Sequence, residues 1–219
     1  MIVERTKELR SFLAKSLHAI LPPMTEIART VRTTQAAEGH PRWRWTTAEL
    51  LHLKELGAFN DEDRFELIGG EIVPTSPNGR RHEVLREDLE EYLRQRLSKD
   101  IRVVAEPQLN LSEDTYTKPD ILVRPVAILT PDIRGDTTLL VIEIADTRLA
   151  YDLGTKAARY AAHGVAEYWV INARTLETKV HRDPTPEGYP EPRAVPATET
   201  VVPLMLPGLA VRLADLDRK

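Results

Sequence analysis

The chain has 219 residues, 42% of them hydrophobic, and a formal net charge of −4. That length supports one sizeable packed domain with some decoration; the charge argues against attachment to nucleic acid by bulk positive charge, though it leaves room for a local basic groove. Cysteine is absent, which removes disulfides and thiolate metal sites, restricts any ion to oxygen or His ligands, and suits a cytoplasmic location.

Residues 3–20 fit an amphipathic helix with Val3, Leu9, Leu13, Leu17 and Ile20 on one face, stopped by Pro22 and Pro23. The start of the chain mixes basic residues with Glu4 and Glu8 and does not read as a signal peptide. Residues 1–44 are therefore expected to form an N-terminal helical extension and linker, with the main domain over 45–219. "TTAELLHLKELG" begins with Thr46 and Glu49 in capping-box spacing and ends at Gly57. "RFELIGGEIVPTS" predicts two short strands around Gly69-Gly70, a hairpin signal. A long helix follows over "NGRRHEVLREDLEEYLRQRLSK", with Val84, Leu85, Leu89, Tyr92, Leu93 and Leu97 facing inward.

Next come three predicted strands: "IRVVAEPQLNLS", "KPDILVRP" and "TTLLVIEIAD". "LGTKAARYAAHG" reads as a helix ending at Gly164, and "AEYWVINA" and "TKVHRD" as further strands. "DPTPEGYPEPRAVPA" is expected to be a Pro-rich surface loop, and "TVVPLMLPGLAVRL" reads as strand-like residues broken by prolines. The longest apolar runs are too short to cross a bilayer, so no membrane is expected. The order of elements predicts an α/β domain around a mixed β-sheet flanked by helices.

Asp120 opens one apolar strand and Glu143 sits inside the next, while Lys156 lies in the first turns of the following helix. A lone acid on a buried strand is unfavourable unless something positive meets it. If the two strands pair, both carboxylates converge on one sheet edge and the helix returns Lys156 to the same place. Two convergent carboxylates suit Mg²⁺ or Mn²⁺, and a nearby Lys can orient water or offset phosphate charge. These are parts for metal-assisted phosphodiester hydrolysis. The structural alternative is an Asp that shapes a strand entry and a Glu paired with Lys156.

The ordered set "RFELIGGEIVPTSPNGRRHEVL", "KPDILV", "VIEIADTRLAYDLGTKAARYAAHGVAEYWVIN" and "VHRDP…GY" resembles the Uma-type restriction endonuclease family, a bacterial branch of the PD-(D/E)XK nuclease superfamily. The resemblance spans roughly residues 45–216. It implies a restriction-endonuclease-like core, with Asp120 and Glu143 as the superfamily's two strand acids. The superfamily Lys would stand two residues after the Glu, where this chain has Ala145; in the Uma-type branch it comes from the following helix, where Lys156 stands. Glu66 matches an early acidic position and either completes the metal shell or is a hairpin residue paired with an Arg. His82 matches a family His that either touches phosphate and helps activate water or makes a structural hydrogen bond.

Arg80 and Arg81, at the helix start, are the best phosphate contacts on a helix whose charges otherwise read as a solvated face. Asp152 is expected to cap the helix carrying Lys156 rather than bind metal. Gln108 is a weaker candidate for facing the site. Tyr160 reads as a packing residue with a polar tip, Tyr168-Trp169 as core, and Glu167 as the partner of a helix-borne Arg. Two functions remain open: a Mg²⁺-dependent nuclease with DNA as the expected substrate and a homodimer by analogy, or a catalytically inactive nuclease-fold module for binding or assembly.

Overall fold

The computed structural model describes residues 42–60, 63–75 and 77–216; the predicted helix over 3–20 lies outside the described residues. Those from Trp43 onward belong to one compact unit. Helix α1 (Thr47–Glu55) carries the capping box: Glu49 N donates to Thr46 Oγ1 at 3.2 Å and Thr46 N donates to Glu49 Oε2 at 2.8 Å. Strands β1 (Phe65–Ile68) and β2 (Glu71–Pro74) form the expected antiparallel hairpin. Gly69 and Gly70 have φ of +57° and +80°, the left-handed pair that a tight two-residue turn requires.

Helix α2 (Arg80–Arg96) buries His82, Leu85, Leu89 and Leu93 at helical spacing. Five further strands follow before the crossover, β3 (Ile101–Ala105), β4 (Leu109–Ser112), β5 (Thr115–Thr117), β6 (Ile121–Pro125) and β7 (Leu140–Ala145), and β8 (Glu167–Asn172) comes after the helical segment. Strands β9 (Thr178–Arg182) and β10 (Arg193–Val195) complete the set. Two sheets result, in the orders β2-β1-β5-β4 and β10-β9-β8-β7-β6-β3. The larger is mixed: β7 and β8 are parallel and its other pairs antiparallel.

A parallel pair needs a crossover, and the chain between β7 and β8 supplies it. A helical turn at Leu149–Tyr151 leads into a π-helical turn at Asp152–Lys156, then helix α3 (Ala157–Ala162). On one side of the large sheet Leu85, Leu89 and Leu93 of α2 pack with Ile121, Val123, Ile142, Ile144 and Trp169. On the other, Ala157 and Tyr160 pack with Leu122, Val141 and Val170. Every residue of β7 is buried, as expected of a strand covered on both faces. Among the described residues no helix is long and apolar enough to cross a membrane.

Several expectations need correction. "IRVVAEPQLNLS" is two strands in different sheets: the chain turns at Glu106, whose φ is +47°, and Pro107 has no amide hydrogen to continue a ladder. Strand β5 and the smaller sheet were not expected, because β1 meets β5 only through long-range pairing, Leu67 opposite Tyr116. The Pro-rich loop contains β10, which pairs with β9. Among the described residues near the chain's end, only an isolated bridge, Val201 with Val211, has strand character.

Candidate active site

The pairing of β6 with β7 sets Ile121 opposite Ile142 and Leu122 opposite Val141. Side chains alternate along each strand, so Asp120 and Glu143 share the face that carries Leu122 and Val141, the face covered by α3. The π-helical turn, a feature that often marks functional sites, brings Lys156 onto that face. Glu66, His82, Asp120, Glu143, Asp152 and Lys156 line one cavity of about 500 Å³.

Each strand acid is anchored through one oxygen. Ile144 N donates to Asp120 Oδ2 at 2.6 Å, and His82 Nε2 lies 2.9 Å from the same oxygen. Glu143 Oε1 accepts from Lys156 Nζ at 2.8 Å and from the Tyr160 hydroxyl at 2.9 Å; Thr117 Oγ1 donates in turn to that hydroxyl at 3.2 Å. Glu66 Oε1 accepts from the Lys118 amide at 3.0 Å and lies 4.0 Å from Lys156 Nζ. Asp120 Oδ1, Glu143 Oε2 and Glu66 Oε2 make no hydrogen bond to the described residues, although the three side chains are nearly buried.

The electrostatics follow from burial and crowding. Burial pushes the Glu143 carboxyl well above its usual range, with the Asp120 and Asp152 charges adding to the shift and the Lys156 charge opposing it. Burial pulls the Lys156 ammonium down, but Glu143, Glu66 and Asp152 outweigh that, and the net shift is upward. The acids around it hold the proton on the Lys156 nitrogen, 2.8 Å from Glu143 Oε1. Burial, reinforced by Asp120 and partly offset by Lys156, raises Asp152 to about 6. Burial lowers His82, yet its contact with Asp120 more than compensates and its pKa is raised.

The structure thus brings Asp120, Glu143, Lys156, Glu66 and His82 together. Glu66 is not paired with an Arg; its partners are the Lys118 amide and Lys156. His82 makes the direct contact with Asp120. Arg80 and Arg81 are exposed and do not line the cavity; Arg81 Nη1 reaches Asp146 Oδ1 at 3.4 Å, at the rim. Gln108 does not line it either, and bonds Asn110 at 2.8 Å. Glu167 pairs not with a helix-borne Arg but with Arg182 at 2.7 Å, its direct opposite on β9.

Two residues assigned structural roles belong to the site. Asp152 caps no helix end: it lies inside the π-helical turn, its Oδ1 3.9 Å from Lys156 Nζ. Its spacing of four from Lys156 was the signal. Tyr160, fully buried, puts its polar tip on Glu143; again the spacing of four from Lys156 pointed there. Lys118 also lines the cavity. It stands two residues before Asp120, in the connection between β5 and β6.

The donor set fits a hard divalent ion in kind, since all of its acids offer oxygen and three of them keep an oxygen without a protein partner. Among the described residues no three His, Asp or Glu side chains stand arranged around an ion. That is compatible with Mg²⁺, which keeps several waters and binds through one or two carboxylates.

A mixed sheet flanked by helices, with paired acids and a lysine in one cleft, defines a nuclease-like protein. Residues 47–214 match the Uma2 family, described as "Putative restriction endonuclease", and the chain belongs to that family. Among solved structures, a "putative nuclease belonging to DUF820" from Anabaena variabilis has a similar fold. Its TM-score is 0.63 at 20% identity, over 78% of this chain and 96% of that one. No curated protein matches. Family and fold together support a nuclease.

Proposed function

We propose that the chain is a Mg²⁺- or Mn²⁺-dependent endonuclease acting on DNA. What carries the reading is the convergence of Asp120, Glu143 and Lys156 on a single cavity, with Glu66 beside them. The DNA substrate follows from the family's description as restriction endonucleases.

In this reading Asp120 and Glu143 hold the ion through their unpartnered oxygens, Oδ1 and Oε2. A divalent cation there supplies Lewis-acid activation of water and stabilises charge on the phosphate. Ile144 N and His82 fix the Asp120 carboxylate, and Lys156 and Tyr160 fix that of Glu143. Lys156, whose ammonium lies 2.8 Å from Glu143 Oε1, positions the attacking water or steadies the scissile phosphate. Glu66, 4.0 Å from Lys156 Nζ, assists. Cutting both strands would call for two such sites, and a homodimer is part of the proposal.

The test is thermal unfolding of the native chain and Asp120→Asn with and without Mn²⁺, followed by plasmid cleavage. The native chain is expected to gain stability with Mn²⁺, because ligand binding to the folded state raises it by RT ln(1 + [L]/Kd), and to cut plasmid with Mg²⁺. Asp120→Asn should show neither effect, and Lys156→Ala should not cut. A native chain indifferent to Mn²⁺ and inert on plasmid and single-stranded DNA would refute the proposal in favour of a non-catalytic module.

A further inference from the structure

The cations lining the cavity are Arg64, Lys118, Arg148 and Lys156. Lys156 is committed to Glu143 at 2.8 Å, and Arg64 to Glu106 at 3.2 Å. Arg148 also has a partner. Lys118 is different: it is half-buried, and among the described residues no carboxylate comes within ion-pair distance of its ammonium. The Phe65 ring centroid lies 5.9 Å from Nζ. Glu66, the adjacent acid, uses Oε1 on the main-chain amide of Lys118. An ammonium drawn partly out of water without a counter-ion is unfavourable, and packing alone does not require the charge, since the aliphatic stem could lie on Phe65 as well without it.

We infer that Lys118 receives a backbone phosphate of the nucleic-acid substrate, one step along the strand from the phosphate held over Asp120 and Glu143. The inference rests on the nuclease reading above and adds a substrate contact to it. Two features of the chain place the charge for this. Pro119, with its fixed φ, separates Lys118 from Asp120, so the two backbones are at most about 7 Å apart, on the scale of one nucleotide step. The Lys118 amide bond to Glu66 ties that connection to β1, and the side chain leaves it on the cavity side. A Lys is a point charge without the planar fork that reads a base edge. The contact therefore contributes affinity and register but no sequence preference.

The experiment is fluorescence anisotropy of the full chain with duplex and single-stranded oligonucleotides of unrelated sequence, in Ca²⁺ in place of Mg²⁺, across a range of salt. Each phosphate neutralised contributes about 0.9 to the slope of log K against log salt on duplex and about 0.7 on a single strand. Lys118→Gln is expected to reduce the slope by that amount and to weaken binding equally on every sequence, while Lys118→Arg restores both. Lys118→Met keeps the stem against Phe65 and serves as the second neutral variant if Lys118→Gln does not fold. Lys179→Gln on β9, whose partner is Glu177 at 3.1 Å, should leave the slope unchanged; an equal drop there would mean that the slope reports overall charge and would overturn the assignment. An unchanged slope in the neutral Lys118 variants overturns the inference and leaves the nuclease reading standing. A native chain that binds neither oligonucleotide overturns both.

Discussion

Replacing Lys156 with Met removes the ammonium while keeping most of the side chain's volume, and the consequence can be worked out from the site. Lys156 Nζ lies 2.8 Å from Glu143 Oε1, and the two side chains are 11% and 4% exposed. Breaking a buried pair from one side costs about 3–5 kcal/mol because the remaining charge has lost its partner. Glu143 has one escape, which is to take up a proton. Burial already pushes its carboxyl upward, and Lys156 is the foremost group opposing that shift. In the variant the folded pKa therefore stands further above the unfolded value. Such a group contributes its stability below the unfolded pKa and loses it as pH rises through the folded one. Urea unfolding in EDTA from pH 5 to 8 should show a small penalty at the acid end that grows to about 3 kcal/mol. Adding Glu143→Gln should remove most of it, giving a coupling of about 2 kcal/mol or more in the double-mutant cycle. A penalty below about 1 kcal/mol and flat in pH would refute the claim that this ammonium compensates this carboxylate.

Two further predictions concern the scaffold. His181 is buried against the rings of Tyr168 and Tyr189, with no hydrogen bond on either nitrogen, and burial lowers its pKa from 6.5 to about 4. The unfolded chain then binds the extra proton between those values, so stability falls as pH drops through that window, by about 2 kcal/mol from pH 7 to 5. His181→Phe should remove that component, and native and variant stability curves that run parallel over the window would contradict the assignment. At Gly135 an added Cβ would stand 2.0 Å from the backbone oxygen of His163, an atom that cannot rotate away. Gly135→Ala should lower stability by about 3 kcal/mol or more in urea unfolding, whereas Gly154→Ala, which meets nothing within 4 Å, should change it little.

Much of this arrangement was legible because it is local. The capping box at Thr46 and the Gly69-Gly70 turn are written in short stretches of chain, and the convergence of Asp120 and Glu143 needed only that their strands pair. The spacing from Glu143 to Lys156 needed only one assumption, that β6 and β7 pair. What was missed depends on pairings that no short stretch encodes. Glu167 meets Arg182 because β8 and β9 set them directly opposite, and no pattern within either strand says so. His82 reaches Asp120 only because α2 crosses the sheet end at one particular rotation. The break at Glu106 needed a positive φ that a Glu rarely adopts, so the run read as one continuous strand. Asp152 illustrates a different failure: its spacing from Lys156 was visible, but a carboxylate near a helix start has a commoner explanation.

The charge balance bears on the choice between a structural ion pair and a site built for a cation. One buried acid suffices to pair one buried lysine, and Glu143 already does so. Glu66, Asp120 and Asp152 are also nearly buried around the same cavity, and the elevated pKa of Asp152 reflects that burial and crowding. His82 offsets part of the excess at Asp120, and among the described residues the Lys118 ammonium has no carboxylate of its own. A core evolved only for stability would replace such acids with apolar residues, which is often neutral or favourable. Retaining more carboxylates than the lysine can satisfy, three of them with an oxygen unspent, makes physical sense if a divalent cation completes the neutralisation when substrate arrives.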